Sequence, residues 1–263
     1  MKIGFIGAGN MATAIAKGMI GSGGYAAADI IMSDPAEDKL AVLSRDLGVK
    51  TTTDNSVIVA TCDLVILAVK PQMAAAALHR LTPTPTTLFV SILAGISTQS
   101  LAAMLPPNTR IVRVMPNTPL LVSQGMSALC AGEYATDDDM AAVKAIFDCA
   151  GKTVLVNESQ IDAIGAISGC GPAYFFMILE ALSDAGVRAG LPRPLALELA
   201  TQTAIGSAVM VAETGKHPAA LKDMVTSPAG TTIEAVNVLE SYAVRAAFME
   251  AVDAAIEKTK RLA

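Results

Sequence analysis

The chain has no tryptophan, two histidines, four cysteines and 4% aromatic residues in a length of 263. Each scarcity excludes something. His79 and His217 are too few to build a histidine-based metal cluster. Cys62, Cys130, Cys149 and Cys170 lack Cys-x-x-Cys spacing, which reads as four reduced thiols in a cytoplasmic setting. Charged residues are only 16%, the net charge is -5 and no basic run is present, so a nucleic-acid partner is not expected. An uninterrupted membrane span is not expected either. The uncharged stretch 163–179 falls slightly short and contains Gly169-Cys170-Gly171-Pro172, while 81–109 is broken by Pro83, Pro85, Pro106 and Pro107. What abounds is aliphatic and small: 52% of residues are hydrophobic, pointing to dense helix packing or a large subunit interface.

The N-terminus carries the first chemical signal. Lys2-Ile3-Gly4-Phe5-Ile6 reads as a buried strand running into Gly7-Ala8-Gly9-Asn10-Met11-Ala12, and Ala12 to Ile20 continues as a helix. This is the Gly-x-Gly-x-x-Ala form of a dinucleotide-binding turn. Its first glycine allows the tight turn, the second lets backbone approach a pyrophosphate, and the small third residue lets helix pack on strand. A signal peptide cannot occupy this stretch without its removal destroying the turn.

Strands and helices then alternate. Ile30 to Met32, Asp63 to Val69, Leu88 to Ile92, Arg110 to Met115, Met126 to Cys130 and Thr153 to Val156 read as strands, with helices over Glu37 to Leu47 and Asp137 to Cys149. Continuous apolar strands joined by helices imply an α/β fold with a doubly wound, mostly parallel sheet, here expected over residues 1–157. Beyond Asn157 the period changes to that of helices, as in Tyr174, Ile178 and Leu182, or Met249, Val252 and Ile256. Residues 158–263 are expected to form an all-helical domain that dimerises.

Ligands of open parallel sheets bind beyond the carboxyl ends of the strands. The expected cofactor cleft is therefore Gly7, Ala8, Gly9, Asn10 and Met11; Ser33, Asp34 and Pro35; Ala68, Val69, Lys70 and Pro71; and Ile92, Leu93 and Ala94. Asp34 lies where an acid would bond the ribose 2′-hydroxyl of NAD, whereas Ser33 would suit a 2′-phosphate. No Arg follows the strand immediately, so NAD and NADP both stay open. A second signal is Thr226-Ser227-Pro228-Ala229-Gly230-Thr231-Thr232-Ile233-Glu234, a turn entering a helix. Thr231 to Glu234 has the form of a capping box, but Thr232 lies outside that explanation. A helix start with free N–H groups and small hydroxyl residues suits a carboxylate.

Arg113-Val114-Met115-Pro116-Asn117-Thr118-Pro119, Ser168-Gly169-Cys170-Gly171-Pro172-Ala173-Tyr174 and Thr226 to Thr232 together resemble the pyrroline-5-carboxylate reductase family, over the whole chain. Two departures are visible: the family usually has Gly where Ala229 stands, and Ser is common where Cys170 stands. The resemblance implies a Rossmann-type domain followed by an all-α dimerisation domain, and hydride transfer from NAD(P)H to 1-pyrroline-5-carboxylate, giving L-proline. It implies a homodimer, with dimers in some members assembling into larger rings, and a preference for NADP(H) over NAD(H). On the substrate side it implies Ser227, Thr231 and Thr232, with Glu158 toward the ring nitrogen and Thr232 orienting the ring and relaying a proton. It adds Asn55 to the cofactor residues. Other imine reductases, β-hydroxyacid-type dehydrogenases and non-catalytic NAD(P)-binding regulatory proteins share parts of this plan. The β-hydroxyacid enzymes need a catalytic Lys in the helical domain, and neither Lys216 nor Lys222 sits in such a motif.

Overall fold

The computed structural model describes residues 1–261, and by packing these fall into two compact units. The first holds Met1–Cys170 with the segment from Ala255 onward; the second is Gly171–Ala254. The boundary expected at residue 157 follows the end of the last strand, whereas packing groups 158–170 with the sheet.

The first unit is built on eight strands: β1 (Ile3–Ile6), β2 (Ile30–Ser33), β3 (Lys50–Thr52), β4 (Leu64–Leu67), β5 (Leu88–Ser91), β6 (Arg110–Met115), β7 (Gly125–Ala131) and β8 (Gly151–Leu155). They lie in the order β3-β2-β1-β4-β5-β6-β7-β8. All neighbours are parallel except β6 and β7. Helices α1 (Asn10–Gly21), α2 (Glu37–Leu47), α3 (Asn55–Thr61), α4 (Ala74–Leu78), α5 (Thr98–Ala102) and α6 (Asp137–Asp148) cover it.

The period-2 alternation of strands decides which helices go where. In β4, Leu64 and Ile66 join Ile3, Phe5 and side chains of α1, α2 and α6 in one core. Val65 and Leu67 join Ile6 and side chains of α3, α4 and α5 in the other. Every strand face at the centre is thus buried, which is why these strands read as continuous apolar runs. β3 was not expected. Its Lys-Thr-Thr sequence is polar and occupies the sheet edge, where a short charged strand is well suited.

After β8 every element among the described residues is helical: α7 (Ile161–Ile164), α8 (Gly171–Arg188), α9 (Arg193–Thr214), α10 (Pro218–Met224), α11 (Thr231–Ser241) and α12 (Val244–Lys260). Between α7 and α8 the backbone widens into a π segment, Gly165–Gly169, and bends at Cys170. Pro172 falls in the first turn of α8, a position where proline is tolerated. The Gly-Cys-Gly-Pro sequence therefore interrupts a helical stretch without ending it. Two stretches, 158–188 and 193–214, are long and apolar enough to cross a membrane by length and composition, and only 22% and 11% of their most apolar windows are buried within one copy.

In the second unit α8 and α9 pair closely through small residues: a Cβ on Gly186 would stand 2.8 Å from that of Ala196. Arg193 Nη1 donates to Ser183 Oγ at 2.9 Å across the same pair. Only Gly171, Ser183, Ala196 and Ala200 are buried in this unit, while Phe176, Met249 and Tyr242 are 63%, 65% and 79% exposed.

Candidate functional site

The strand order reverses its progression at β1, which has β2 on one side and β4 on the other. A groove of about 460 Å³ opens there, within the size range of small-molecule sites. Gly7 forms its floor. Its φ is +96°, and a Cβ would come within 2.7 Å of the Ala68 carbonyl carbon and oxygen. The turn is held by Gly7 N–H donating to the Ser33 carbonyl at 2.9 Å and Ala68 N–H donating to the Ile6 carbonyl at 2.8 Å. Gly9 is the N-cap of α1, extended and without any side-chain cap. A Cβ there would meet nothing within 4 Å, so open space lies over the uncapped N–H groups of the first turn. Such a cradle fits a pyrophosphate by hydrogen bonding and by the helix dipole.

The groove brings together Gly7, Gly9, Ser33, Asp34, Pro35, Asn55, Ala68, Val69 and Lys70, nine of the expected residues. The Ser33 side chain is buried: its hydroxyl donates to Asn55 Oδ1 at 2.7 Å, with the Phe5 carbonyl at 3.1 Å. Asn55 Nδ2 in turn donates to the Ala77 carbonyl at 3.1 Å, tying the end of β2 to the start of α3 and the end of α4. Asp34 accepts from Lys39 Nζ at 2.7 Å and from the N–H groups of Ala8 and Ala36 at 3.1 and 3.2 Å. Burial alone would raise its pKa; the lysine and the two N–H groups outweigh it and hold the carboxyl below its ordinary value.

The expected residues Ala8, Asn10, Met11, Pro71, Ile92, Leu93 and Ala94 do not line this groove. Ala8 and Leu93 are buried with their side chains in the core, and Asn10 is exposed as the first residue of α1. Lys39, Thr53, Met73, Ala76 and Ala77 line it without having been singled out. Lys39 is the informative omission. It stands five positions past Asp34, and the first turn of α2 brings it back to the strand end.

Glu158 sits apart from the groove lining, in a network of its own. It accepts from the N–H of Thr98 at 3.1 Å, from the Thr98 hydroxyl, and from Arg113 Nη1 at 2.7 Å. Arg113 is buried in β6 and also reaches Asp162 at 3.4 Å. Burial works against ionisation of Glu158, but Thr98 and Arg113 prevail and lower its pKa. Nearby, Asn117 Nδ2 donates to the Ser168 carbonyl at 3.2 Å, and Asn117 Oδ1 accepts from Met126 N–H at 2.9 Å. Two of the sequence motifs thereby meet through one amide.

In the second unit the capping-box reading of Thr231 does not hold. Gly230 takes the extended N-cap position with no side-chain cap, making Thr231 and Thr232 the first two residues of α11. A Cβ there would stand 2.3 Å from Ser227 Oγ, so that hydroxyl would have to turn away, and 3.1 Å from the Ser227 carbonyl oxygen. Gly230 N–H donates to the Ser227 carbonyl at 3.0 Å, closing the turn. Ser227, Thr231 and Thr232 are exposed, and no hydrogen bond of either threonine hydroxyl occurs among the described residues. Ala229 within this turn has φ +56°.

Residues 158–262 match the pyrroline-5-carboxylate reductase dimerisation family, and residues 2–95 match the family described as NADP oxidoreductase, coenzyme F420-dependent. Pyrroline-5-carboxylate reductase of Methanosarcina acetivorans is 46% identical, covering 99% of this chain and 97% of the relative. That of Escherichia coli is 43% identical, covering 99% and 98%. The crystal structure of Plasmodium falciparum pyrroline carboxylate reductase with NADP bound superposes with a TM-score of 0.92 at 33% identity, covering 100% of this chain and 98% of that one. A 3-hydroxyisobutyrate dehydrogenase of Mycobacterium tuberculosis shares only the fold, at 17% identity and a TM-score of 0.52. With relatives this similar matched end to end, and the nucleotide turn intact, the chain belongs to the pyrroline-5-carboxylate reductase family.

Proposed function

We propose that this chain reduces 1-pyrroline-5-carboxylate to L-proline with NADP(H) as hydride source, acting as a cytoplasmic homodimer with no nucleic-acid or membrane partner. The carrying observation is an intact nucleotide turn, Gly7 at φ +96° and open space above Gly9, in a chain belonging to this family along its length. When bound, the nicotinamide nucleotide supplies a hydride. Gly7, Ala8, Gly9, Asn10 and Met11 would form the turn that holds its pyrophosphate, with the uncapped N–H groups at the start of α1 as the donors. Ser33, Asp34, Pro35 and Asn55 would shape the wall on the adenosine side; Ala68, Val69, Lys70 and Pro71, with Ile92, Leu93 and Ala94, would hold the rest.

The substrate explains why no strong acid or base stands out. A cyclic imine nitrogen is basic enough to arrive protonated, so the protein's task is to align the iminium carbon with the hydride and exclude water. Ser227 and the uncapped start of α11 would receive the substrate carboxylate. Thr232 would orient the ring by a hydrogen bond at its nitrogen; Glu158, kept ionised by Arg113 and Thr98, is a separate candidate for that nitrogen. As the iminium carbon gains the hydride, the C=N double bond becomes a single bond, the ring nitrogen keeps its proton, and the amine formed takes up a second proton from solvent, relayed by Thr232.

The test is the initial rate of NADPH and NADH oxidation with pyrroline-5-carboxylate against a blank without imine. Oxidation of neither cofactor overturns the reading. Thr232→Ala is expected to lose on the order of 10²-fold in rate, with Thr232→Ser largely active; unchanged turnover removes Thr232 from the chemistry. The apolar surface of residues 158–261 is assigned to a second copy of the chain, and the mass in dilute solution tells a dimer from a ring of dimers.

A further inference from the structure

We infer that Lys39 is the residue that selects a nucleotide bearing a 2′-phosphate, and that Asp34 is committed to holding the glycine turn and that lysine. The inference rests on the NAD(P)H reading above and narrows it. At the end of the second strand of such a fold, a bare ribose is recognised by a free carboxylate and a 2′-phosphate by a cation. Asp34 occupies the carboxylate's position but is not free. Its Oδ2 receives Ala8 N–H at 3.1 Å and Lys39 Nζ at 2.7 Å, its Oδ1 receives Ala36 N–H at 3.2 Å, and its side chain is 14% exposed.

Lys39 is the reverse case. Its side chain is 41% exposed, it lines the groove beside Asp34 and Thr53, and its ammonium spends one of three N–H donors on Asp34. The charged side chains lining the groove are Lys39 and Lys70 against Asp34. That balance suits an added phosphate of about -1.5 to -2 charge better than a neutral diol. Ser33, the other group placed to meet a 2′-phosphate, donates inward to Asn55 instead.

The experiment is calorimetric titration of the full-length protein with adenosine 2′,5′-bisphosphate and with adenosine 5′-phosphate, which differ only in the 2′-phosphate. The wild type is expected to prefer the bisphosphate by about tenfold or more. Lys39→Gln should lose about tenfold for the bisphosphate while its affinity for the monophosphate moves less than about twofold, and Lys39→Arg should restore the preference. Asp34→Asn should keep the preference, whatever it does to both affinities together. The inference is overturned by a wild type without preference, by a Lys39→Gln protein whose ratio is unchanged, or by an Asp34→Asn protein that loses the monophosphate selectively. Because no imine is present, an enzyme inactive on pyrroline-5-carboxylate that still shows this selectivity would defeat the substrate reading alone. An active enzyme without it would defeat only the role of Lys39.

Discussion

At the scale of single residues, backbone conformation and side-chain chemistry agree almost everywhere, and Ala229 is the exception that matters most. At φ +56° it occupies the left-handed region in which a Cβ is costly, at the one loop position where the family usually has glycine. Ala229→Gly should remove about 1–2 kcal/mol of strain and return less than about 1 kcal/mol through the freer unfolded chain. A small rise in the denaturant midpoint at fixed protein concentration is expected. A fall would mean that the methyl group makes a contact worth more than the strain. Glu158 gives a prediction in pH. Its folded pKa lies below the unfolded value of about 4.3, so its contribution is complete above that pH and is lost as pH falls through the folded pKa. Glu158→Gln should be less stable than wild type at pH 7 by about 1–3 kcal/mol, with the gap closing in acid. A gap independent of pH would show that the carboxylate's charge is irrelevant. Gly7 was legible in the sequence because its demand is local, a turn geometry that favours glycine, and Gly9 because it leaves open the space over the helix start. Lys39 was not, because it reaches the groove only after a helix has turned it back.

Among elements, the central strands and the long helices announce themselves by periodicity, and helix 37–47 falls where its pattern places it. What escaped was carried by position rather than pattern. β3 is three polar residues that become a strand because β2 offers them an open edge. Thr231 looked like a cap because a hydroxyl precedes Glu234 by three positions, but Gly230 adopts the extended cap conformation first. Asn117 shows how one side chain couples elements. The carbonyl of Ser168 lies at the end of the π segment, and Pro172, four residues on, has no N–H to offer it; the Asn117 amide takes it and accepts from β7 at Met126. Asn117→Ala would leave that N–H and that carbonyl without partners in a largely buried place. A loss of about 2 kcal/mol or more is expected in denaturant unfolding. A loss below about 0.5 kcal/mol, the ordinary range of surface changes, would mean that water replaces the amide without cost.

For the whole molecule, the two units differ in what they bury. The first has a core on each face of its sheet. The second buries four residues in 84 and exposes Phe175, Phe176, Met177 and Leu239. A single copy cannot meet the entropy of ordering these helices from so little burial, and the dimer supplies the remainder. The unfolding temperature should therefore rise with protein concentration, as it does when folding and association are linked. A midpoint constant over a hundredfold dilution would mean that the helices are stable without a partner. The sequence carried this in its 52% hydrophobic content with few aromatics, more apolar surface than one copy covers. The same exposed apolar surface has a consequence for inheritance. A two-fold interface meets each substitution from both sides, so one altered codon changes the shared core twice and its effect on the assembly constant enters as a square. A polar substitution on one of these exposed apolar faces, tolerable in a monomer, is therefore met by selection at double strength. These helices should drift more slowly than their exposure in one copy would foretell.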